Sequence, residues 1–417
     1  MSNSEKKPAV ENPWYVLATL FEDQLDCACY WNAWISQEMS NEEKATIKEN
    51  SLNQTPGLSL SGFDMKWVDL QKVAERLFKR RLPNATLPHP FQAVDFSNVK
   101  FPHNINFKSF IFPSVTNFAG ADFSGDVDFT SATFTGSTTF NGAVFAAAAT
   151  FNCALFSRGA NFMGTTFSGN ASFLIAVFSE DAIFTNVTFS GNVNFGRTVF
   201  SGVSDFYGTK FHKKVFFDNT TFNEFCDFRN VRFIKAYPIL SGTQLHSKTT
   251  VTAEDEHWPT IQIKKSNDDN KDVLESCTHL RKNMASQGLT DAAHFFFSRE
   301  MDHKAKLSRW WELPFYKAYS WVEYGYGVGQ PLVGIFFLWV VGAVSLIEWG
   351  SLHYSTAFGL SGANIFKLLG FQRVYFEDDV IGKLNSYLQF MTAAQTVIGY
   401  LLLFLFGLGL RNQFRLK

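Results

Sequence analysis

From Phe96 onward, phenylalanine recurs at gaps that alternate five and six residues without a slip. The series runs Phe96, Phe101, Phe107, Phe112, Phe118, Phe123, Phe129, Phe134, Phe140, Phe145, Phe151, Phe156 and Phe162. It continues through Phe167, Phe173, Phe178, Phe184, Phe189, Phe195, Phe200, Phe206, Phe211, Phe217, Phe222, Phe228 and Phe233. The repeating unit is therefore eleven residues carrying two Phe, and it accounts for more than half of the 47 Phe in the 417-residue chain. Phe91 stands five before Phe96, outside the alternation, which predicts an irregular first coil.

An eleven-residue apolar repeat is compatible with a right-handed coiled coil. That needs helix-forming residues, and this stretch is rich in Gly, Ser, Thr and Asn, which favour turns. The alternative is a coil of short extended sides joined by corners. Two residues before most of the Phe stands a small residue, such as Ala121, Ala132, Ala143 or Val193. By the two-residue strand period it points inward with the Phe. The residues between are expected to turn the corner and face water.

This small-x-Phe-x-x pattern, from about Phe91 to Phe233, resembles the pentapeptide-repeat family in a Phe-centred variant. The resemblance implies a right-handed quadrilateral β-helix, a solenoid with four sides and 22 residues per coil. The span Phe96–Phe233 then makes about six coils, a rod ~30 Å long at the inter-strand spacing of a sheet.

Four domains are expected. Residues 1–90 read as a mostly helical module capping the first coil. It has a Ser40/Glu43 capping box and a helical spacing of Trp67, Leu70, Val73, Ala74 and Leu77. Residues 91–235 are the β-helix. Residues 236–309 read as a linker or loose terminal coil, polar at Ser266–Asn270, followed by a helical hairpin. Its first helix carries Val273, Cys277, Leu280 and Met284, Gly288 ends it, and Thr290 caps the second.

Residues 310–417 read as a membrane domain. An aromatic interfacial segment, 310–329, carries Trp310, Trp311, Tyr316, Tyr319, Trp321 and Tyr324. A first transmembrane helix follows at about 331–347 and a second at about 390–410. Within the loop 348–389, the half-apolar stretch Ser355–Phe371 reads either as a re-entrant segment or as one lying on the outer interface. Lys304, Lys306, Arg309 and Lys317 precede the first span, and Arg411, Arg415 and Lys417 follow the second. The loop mixes Glu348, Glu377, Asp378 and Asp379 with Lys367, Arg373 and Lys383. The positive-inside rule then puts both termini and the solenoid in the cytoplasm.

The flanks also resemble bacterial pentapeptide-repeat membrane proteins, in Asn12–Thr19, in Tyr324-Gly-Tyr-Gly-Val-Gly-Gln-Pro331, and in Leu410-Arg-Asn-Gln-Phe-Arg415. In the middle motif Gly327 and Gln330 replace a Ser and an Arg. The resemblance implies a multi-pass protein of the bacterial inner membrane. Gly325-Tyr326-Gly327 spells a potassium-filter tripeptide but lies before the first span and lacks the preceding Thr-Val, so it reads as a hinge. On the second span Thr392, Gln395, Thr396 and Gly399 share one face, either lining a pore or packing helix on helix. Either use implies a partner, expected to be a second copy of the chain.

No catalytic motif, cofactor signature or metal-ligand spacing occurs. The five cysteines are too few and scattered for a disulfide framework. His257 among Glu254, Asp255 and Glu256 reads as a solvated charge run, and Asp122, Asp126 and Asp128 as outward corners. From Phe96 to Phe233 nine acidic residues balance nine basic ones, which excludes an acidic DNA-mimicking rod, and Ser131–Ser157 is uncharged. Balanced charge over the chain argues against nucleic-acid binding. The expected function is a non-enzymatic, membrane-anchored scaffold or sensor whose solenoid binds a protein partner. The alternative is an oligomeric, channel-like effector gated through the solenoid.

Overall fold

The computed structural model describes residues 6–20, 27–37, 39–42, 44–45, 49, 68–90, 92–260, 267–367, 381 and 384–414. The readings that rested on Phe91, Glu43, Trp67, Ser266, the loop charges from Arg373 to Asp379, Lys383, Arg415 and Lys417 lie outside them. The chain forms two compact units, Met1–Glu300 and Met301–Lys417.

In the first unit the Phe repeat folds as a parallel β-solenoid of about seven turns. Two-residue and three-residue strands from Val94 to Phe233 stack into four parallel sheets, seven of these strands on two faces and six on the others. The register is 22 residues, so that Phe145 pairs with Phe123 below and Phe167 above. Every Phe of the series from Phe96 to Phe233 is buried. Along a face the rings stack nearly flat, as Phe118 on Phe140 at 4.8 Å and 1°. Across the core they meet edge to face, as Phe140 and Phe151 at 5.5 Å and 86°. Such pairs add about 0.5–1.5 kcal/mol beyond area burial.

The alternation of five and six reflects two kinds of corner. In the five-residue gap the second residue after the Phe is left-handed and the third donates back to the Phe carbonyl, as Ala121 N to Phe118 O at 3.0 Å. That is the geometry of a turn with positive φ at its third position. The six-residue gap has no left-handed residue. Its Asn or Asp side chain instead accepts from the backbone one coil on: Asn104 from Asp126 N, Asp126 from Ala148 N, Asp181 from Val203 N, each at 2.9 Å. These corners lie so close that a Cβ on Gly169 would stand 2.3 Å from the Ala147 carbonyl oxygen.

The left-handed positions form two edges. One holds Asn98, Gly120, Gly142, Gly164, Asn186, Gly208 and Asn230, residues that tolerate positive φ. The other holds Ser109, Ser131, Cys153, Ile175, Arg197 and Asn219. Ile175, at φ 58°, is β-branched and carries real strain. One expectation fails at Asp227, an outward residue that is buried, and along one other face. There the outward residues Ile111, Thr133, Leu155 and Val177 are buried rather than facing water.

Both ends of the solenoid are closed. At the start, Lys7–Pro8 adds a parallel strand beside Val99–Lys100. Helix α1, Pro13–Ala18, is capped by Asn12, whose amide also donates to Asp95 O at 2.8 Å. Helix α2, Cys27–Ser36, lays Trp31 and Asn32 on the first coil. Asn32 copies a strand partner, donating to Ser109 O and accepting from Ile111 N, both at 3.0 Å, while Trp31 Nε1 donates to Ile111 O at 2.7 Å. Helix α3, Val68–Arg81, returns to α1 through Arg81 Nη1, which donates to Thr19 O at 3.1 Å.

At the other end, the stretch read as a linker or loose coil pairs with the last regular one. Ile239 bridges Phe216, Gln244 bridges Thr221, and Thr250–Val251 pairs with Asp227–Phe228. Trp258 covers Phe233 at 4.9 Å, and helices α4, Asn267–Ser286, and α5, Thr290–Leu307, complete the cover. Val273, Cys277, Leu280 and Met284, the residues at helical spacing, are buried.

The second unit contains α6, Leu313–Trp321; α7, Gly329–Glu348; α8, Tyr354–Ile365; and α9, Ser386–Phe414. Helices α7 and α9 are long and apolar enough to cross a membrane. Each runs beyond the apolar stretch read from the sequence, α9 into the polar Arg411-Asn412-Gln413, because the helical backbone does not stop where hydrophobicity does.

Replacing Phe151, in the middle of the stack, by Ala is expected to cost ~3–5 kcal/mol, read as a lower denaturation midpoint of the full-length protein. Ile175→Asn is expected to act oppositely and stabilise by about 1 kcal/mol, by relieving the left-handed strain; an unchanged or lower midpoint would refute the strain.

Candidate functional site

The solenoid's polar side chains serve its corners. Asp122, Asp126 and Asp128 do not converge: they bind Lys6 at 3.3 Å, Ala148 N at 2.9 Å and Thr130 N at 2.8 Å respectively. His257 is buried, its Nδ1 3.1 Å from Val231 O and its Nε2 3.3 Å from Glu256, whose carboxylate is exposed. Asp227 is a buried carboxylate. Burial alone would raise its pKa, but hydrogen bonds from Arg229 and Thr250 outweigh it and hold the group below its ordinary value.

The denser constellation lies in the helical unit, where α8 packs against both long helices halfway along α7. Trp339, the contact residue of α7, donates its Nε1 to Phe358 O at 2.9 Å, and Ser361 Oγ donates to Trp339 O at 2.7 Å. Gln395 of α9 joins the three helices. Its Nε2 donates to Ser361 Oγ at 2.6 Å and to Leu338 O at 3.2 Å, and its Oε1 accepts from Asn364 Nδ2 at 3.4 Å. Two glycines make room: a Cβ on Gly342 would stand 2.3 Å from Gln395 Nε2, and one on Gly399 would stand 3.1 Å from Ile365 Cα. Through these contacts α8, Tyr354–Ile365, packs against both α7 and α9.

Of the four residues read as one face, Gln395, Thr392 and Gly399 are buried within this unit, and Thr396 is half-buried. Both threonine hydroxyls donate to their own helix, Thr392 to Gln389 O and Thr396 to Thr392 O. The face thus packs helix on helix inside one chain. The sequence reading missed the partners Trp339, Gly342, Ser361 and Asn364. Their signal was a Ser and an Asn three apart within an otherwise apolar stretch.

A second constellation stands at the base of the helices. Glu323, Tyr324 and Gly325 are consecutively left-handed, at φ 49°, 54° and 90°. Such strain in two non-glycine residues persists only where surroundings enforce it. Here Tyr324 OH donates to the Asp302 carboxylate, Asn412 Nδ2 donates to Gly325 O at 2.9 Å, and Gln413 Nε2 donates to Tyr326 O at 3.2 Å. Burial first, then the Asp302 hydrogen bond and charge, push the Tyr324 phenol well above its ordinary pKa. A Cβ on Gly409 would stand 2.9 Å from Gly327 O. The stretches before the first long helix and at the end of the second are therefore two halves of one knot. Gly325-Tyr326-Gly327, read as a hinge, is a clamped turn, and two of its carbonyls are engaged by amide side chains.

Leucine at position 395 is expected to leave Ser361 without its partner amide and Asn364 without its acceptor. Gln395→Leu should lower the thermal midpoint of the full-length protein in detergent by the equivalent of about 1–2 kcal/mol; an unchanged midpoint would show that this cluster does not hold α8.

Comparison with known proteins bears on the solenoid. The family described as pentapeptide repeats (9 copies) matches residues 151–199 and 195–237. No curated protein and no solved structure matches the chain.

Proposed function

The solenoid belongs to the pentapeptide-repeat family, and from that premise we propose that the chain is a membrane-anchored, non-enzymatic scaffold or sensor. One observation carries the anchor. Only 22% of the most apolar window of α7, and the same share of α9, is buried. Leu332, Val333, Phe336, Phe337, Val397, Leu401 and Phe404 are exposed. A soluble core helix hides such residues, whereas an exposed patch of this size asks for lipid or partner. Helix α6 adds Phe315, Tyr319 and Trp321, has no buried residue, and at nine residues is too short to hold by itself in water. It fits the bilayer interface, with Lys304, Lys306, Arg309, Lys317 and Arg411 setting a cytoplasmic, inner-membrane orientation.

The partner surface would be the solenoid's sides, since its ends are covered by α2 and by Trp258 with α4 and α5. A rigid side wall of short polar residues, uncharged from Ser131 to Ser157, suits a protein partner better than a small substrate. The repeat solenoid is a fold typical of non-enzymatic proteins.

A second reading, an oligomeric channel-like or pore-forming effector gated through the solenoid, is favoured by α8. A plain anchor has no need of a helix inserted halfway along its spans. Gln395 bonds Ser361, Leu338 and Asn364 within the chain, so its polarity alone is no argument for a pore lining or for self-association.

The test uses the full chain in cells. It is expected to stay with membranes after alkaline carbonate. Asn141→Cys, on the exposed wall, should react with an impermeant maleimide only after permeabilisation; labelling of intact cells would overturn the orientation. Photo-crosslinkers at Thr139 and Thr150 should capture one recurrent protein. No capture, together with cation flux through liposomes holding the purified protein, would favour the channel reading.

A further inference from the structure

One cleft in the helical unit takes no part in the packing of α7, α8 and α9. It measures about 520 Å³ and lies where α7 begins and α9 ends, bordered by Trp321, Glu323, Gly329, Gln330, Val333 and Gln413. Among its described lining residues one is charged, Glu323. Gln330 Nε2 donates to Glu323 Oε1 at 2.7 Å, and Gln413 Nε2 donates to Tyr326 O at 3.2 Å. Each amide keeps a second N–H, and the first backbone N–H groups of α7 border the cleft, so its lining offers donors as well as the Glu323 carboxylate. Among the described residues no Lys or Arg lines it. The Trp321 ring supplies a π surface, its Cη2 3.1 Å from where a Cβ on Gly334 would stand.

A carboxylate, acceptor oxygens and an indole ring select an ammonium group. A ligand that is anionic alone would meet the Glu323 carboxylate with no Lys or Arg in the lining to offset it. The opposite lip is apolar. Val333 lines it and is 66% exposed, and the exposed ridge continues along α7 through Phe336 and Phe337. The cleft thus asks for a ligand that is cationic at one end and hydrocarbon at the other.

Resting on the membrane reading above, we propose that this cleft binds a phospholipid with an amine headgroup. The ammonium sits between Glu323 and Trp321, and an acyl chain runs along Val333, Phe336 and Phe337. The strained left-handed turn at Glu323–Gly325 has a use in this arrangement, since it holds the carboxylate beside the start of α7.

Native mass spectrometry of the full-length protein in mild detergent tests this, with phosphatidylethanolamine and phosphatidylglycerol offered in equal amounts. One phosphatidylethanolamine per chain should be retained, about tenfold over phosphatidylglycerol, and Glu323→Gln should remove most of that preference, as expected for loss of one charge-assisted contact. Trp321→Leu, which keeps an apolar wall, should weaken it as well, while a thermal midpoint near wild type confirms folding of both variants. Equal retention of the two lipids, or a preference untouched by Glu323→Gln, would overturn the proposal. Displacement by soluble glycerophosphoethanolamine as readily as by the lipid would overturn the acyl-chain half of it. A chain that co-floats with vesicles but shows no headgroup preference defeats this inference alone; a chain that fails to float defeats the anchor.

Discussion

Everything in the first unit depends on one contact, a Phe ring lying flat on the Phe ring 22 residues away. The stack repeats at about 4.6–5.3 Å on each face. It sets the coil length, since a corner that added or lost a residue would bring Phe against a solvent-facing position. It also dictates what lies between the rings. Where Thr replaces the small inward residue of a five-residue gap, its hydroxyl donates to a carbonyl of the preceding coil, as Thr165 to Phe140 O and Thr198 to Phe173 O, both at 2.7 Å.

The stack explains why both ends need separate covers. A coil that touches only its neighbours leaves its last ring and its last row of backbone groups open. Asn32 and Trp31 answer the second need at the start by taking the place of strand bonds. Trp258 answers the first at the other end by lying on Phe233. With the ends closed in this way, the exposed surface of the solenoid lies on its sides, apart from the face of Ile111, Thr133, Leu155 and Val177. The left-handed edges are unequal: one uses Gly and Asn throughout, and the other accepts Ile175 and Arg197 at a conformational cost.

The helical unit is organised by a different constraint. Polar side chains among apolar helices need partners, and Ser361, Asn364 and Gln395 find theirs within the chain. Gln395 joins three helices, and Asn412 and Gln413 bind the turn at the opposite end of the hairpin. Gln395 is thus an internal brace that holds α8 against both long helices.

The solenoid, its 22-residue coil and the two long apolar helices were legible in the sequence, because each is a periodicity or a run, and both come from local geometry: two-residue side-chain alternation and hydrophobic length. The corner types were half legible. Gly and Asn two after Phe marked one edge, while Ser109, Cys153 and Ile175 gave no sign of a left-handed backbone. Only the tertiary structure showed that residues 237–251 form a further coil, that Ser355–Ile365 packs on both long helices, and that Gln395 meets Ser361 and Asn364. It likewise brought the Tyr324 and Asn412 stretches together across 87 residues. These are contacts between segments distant in the chain, made by single side chains, and neither periodicity nor composition records which of them will meet.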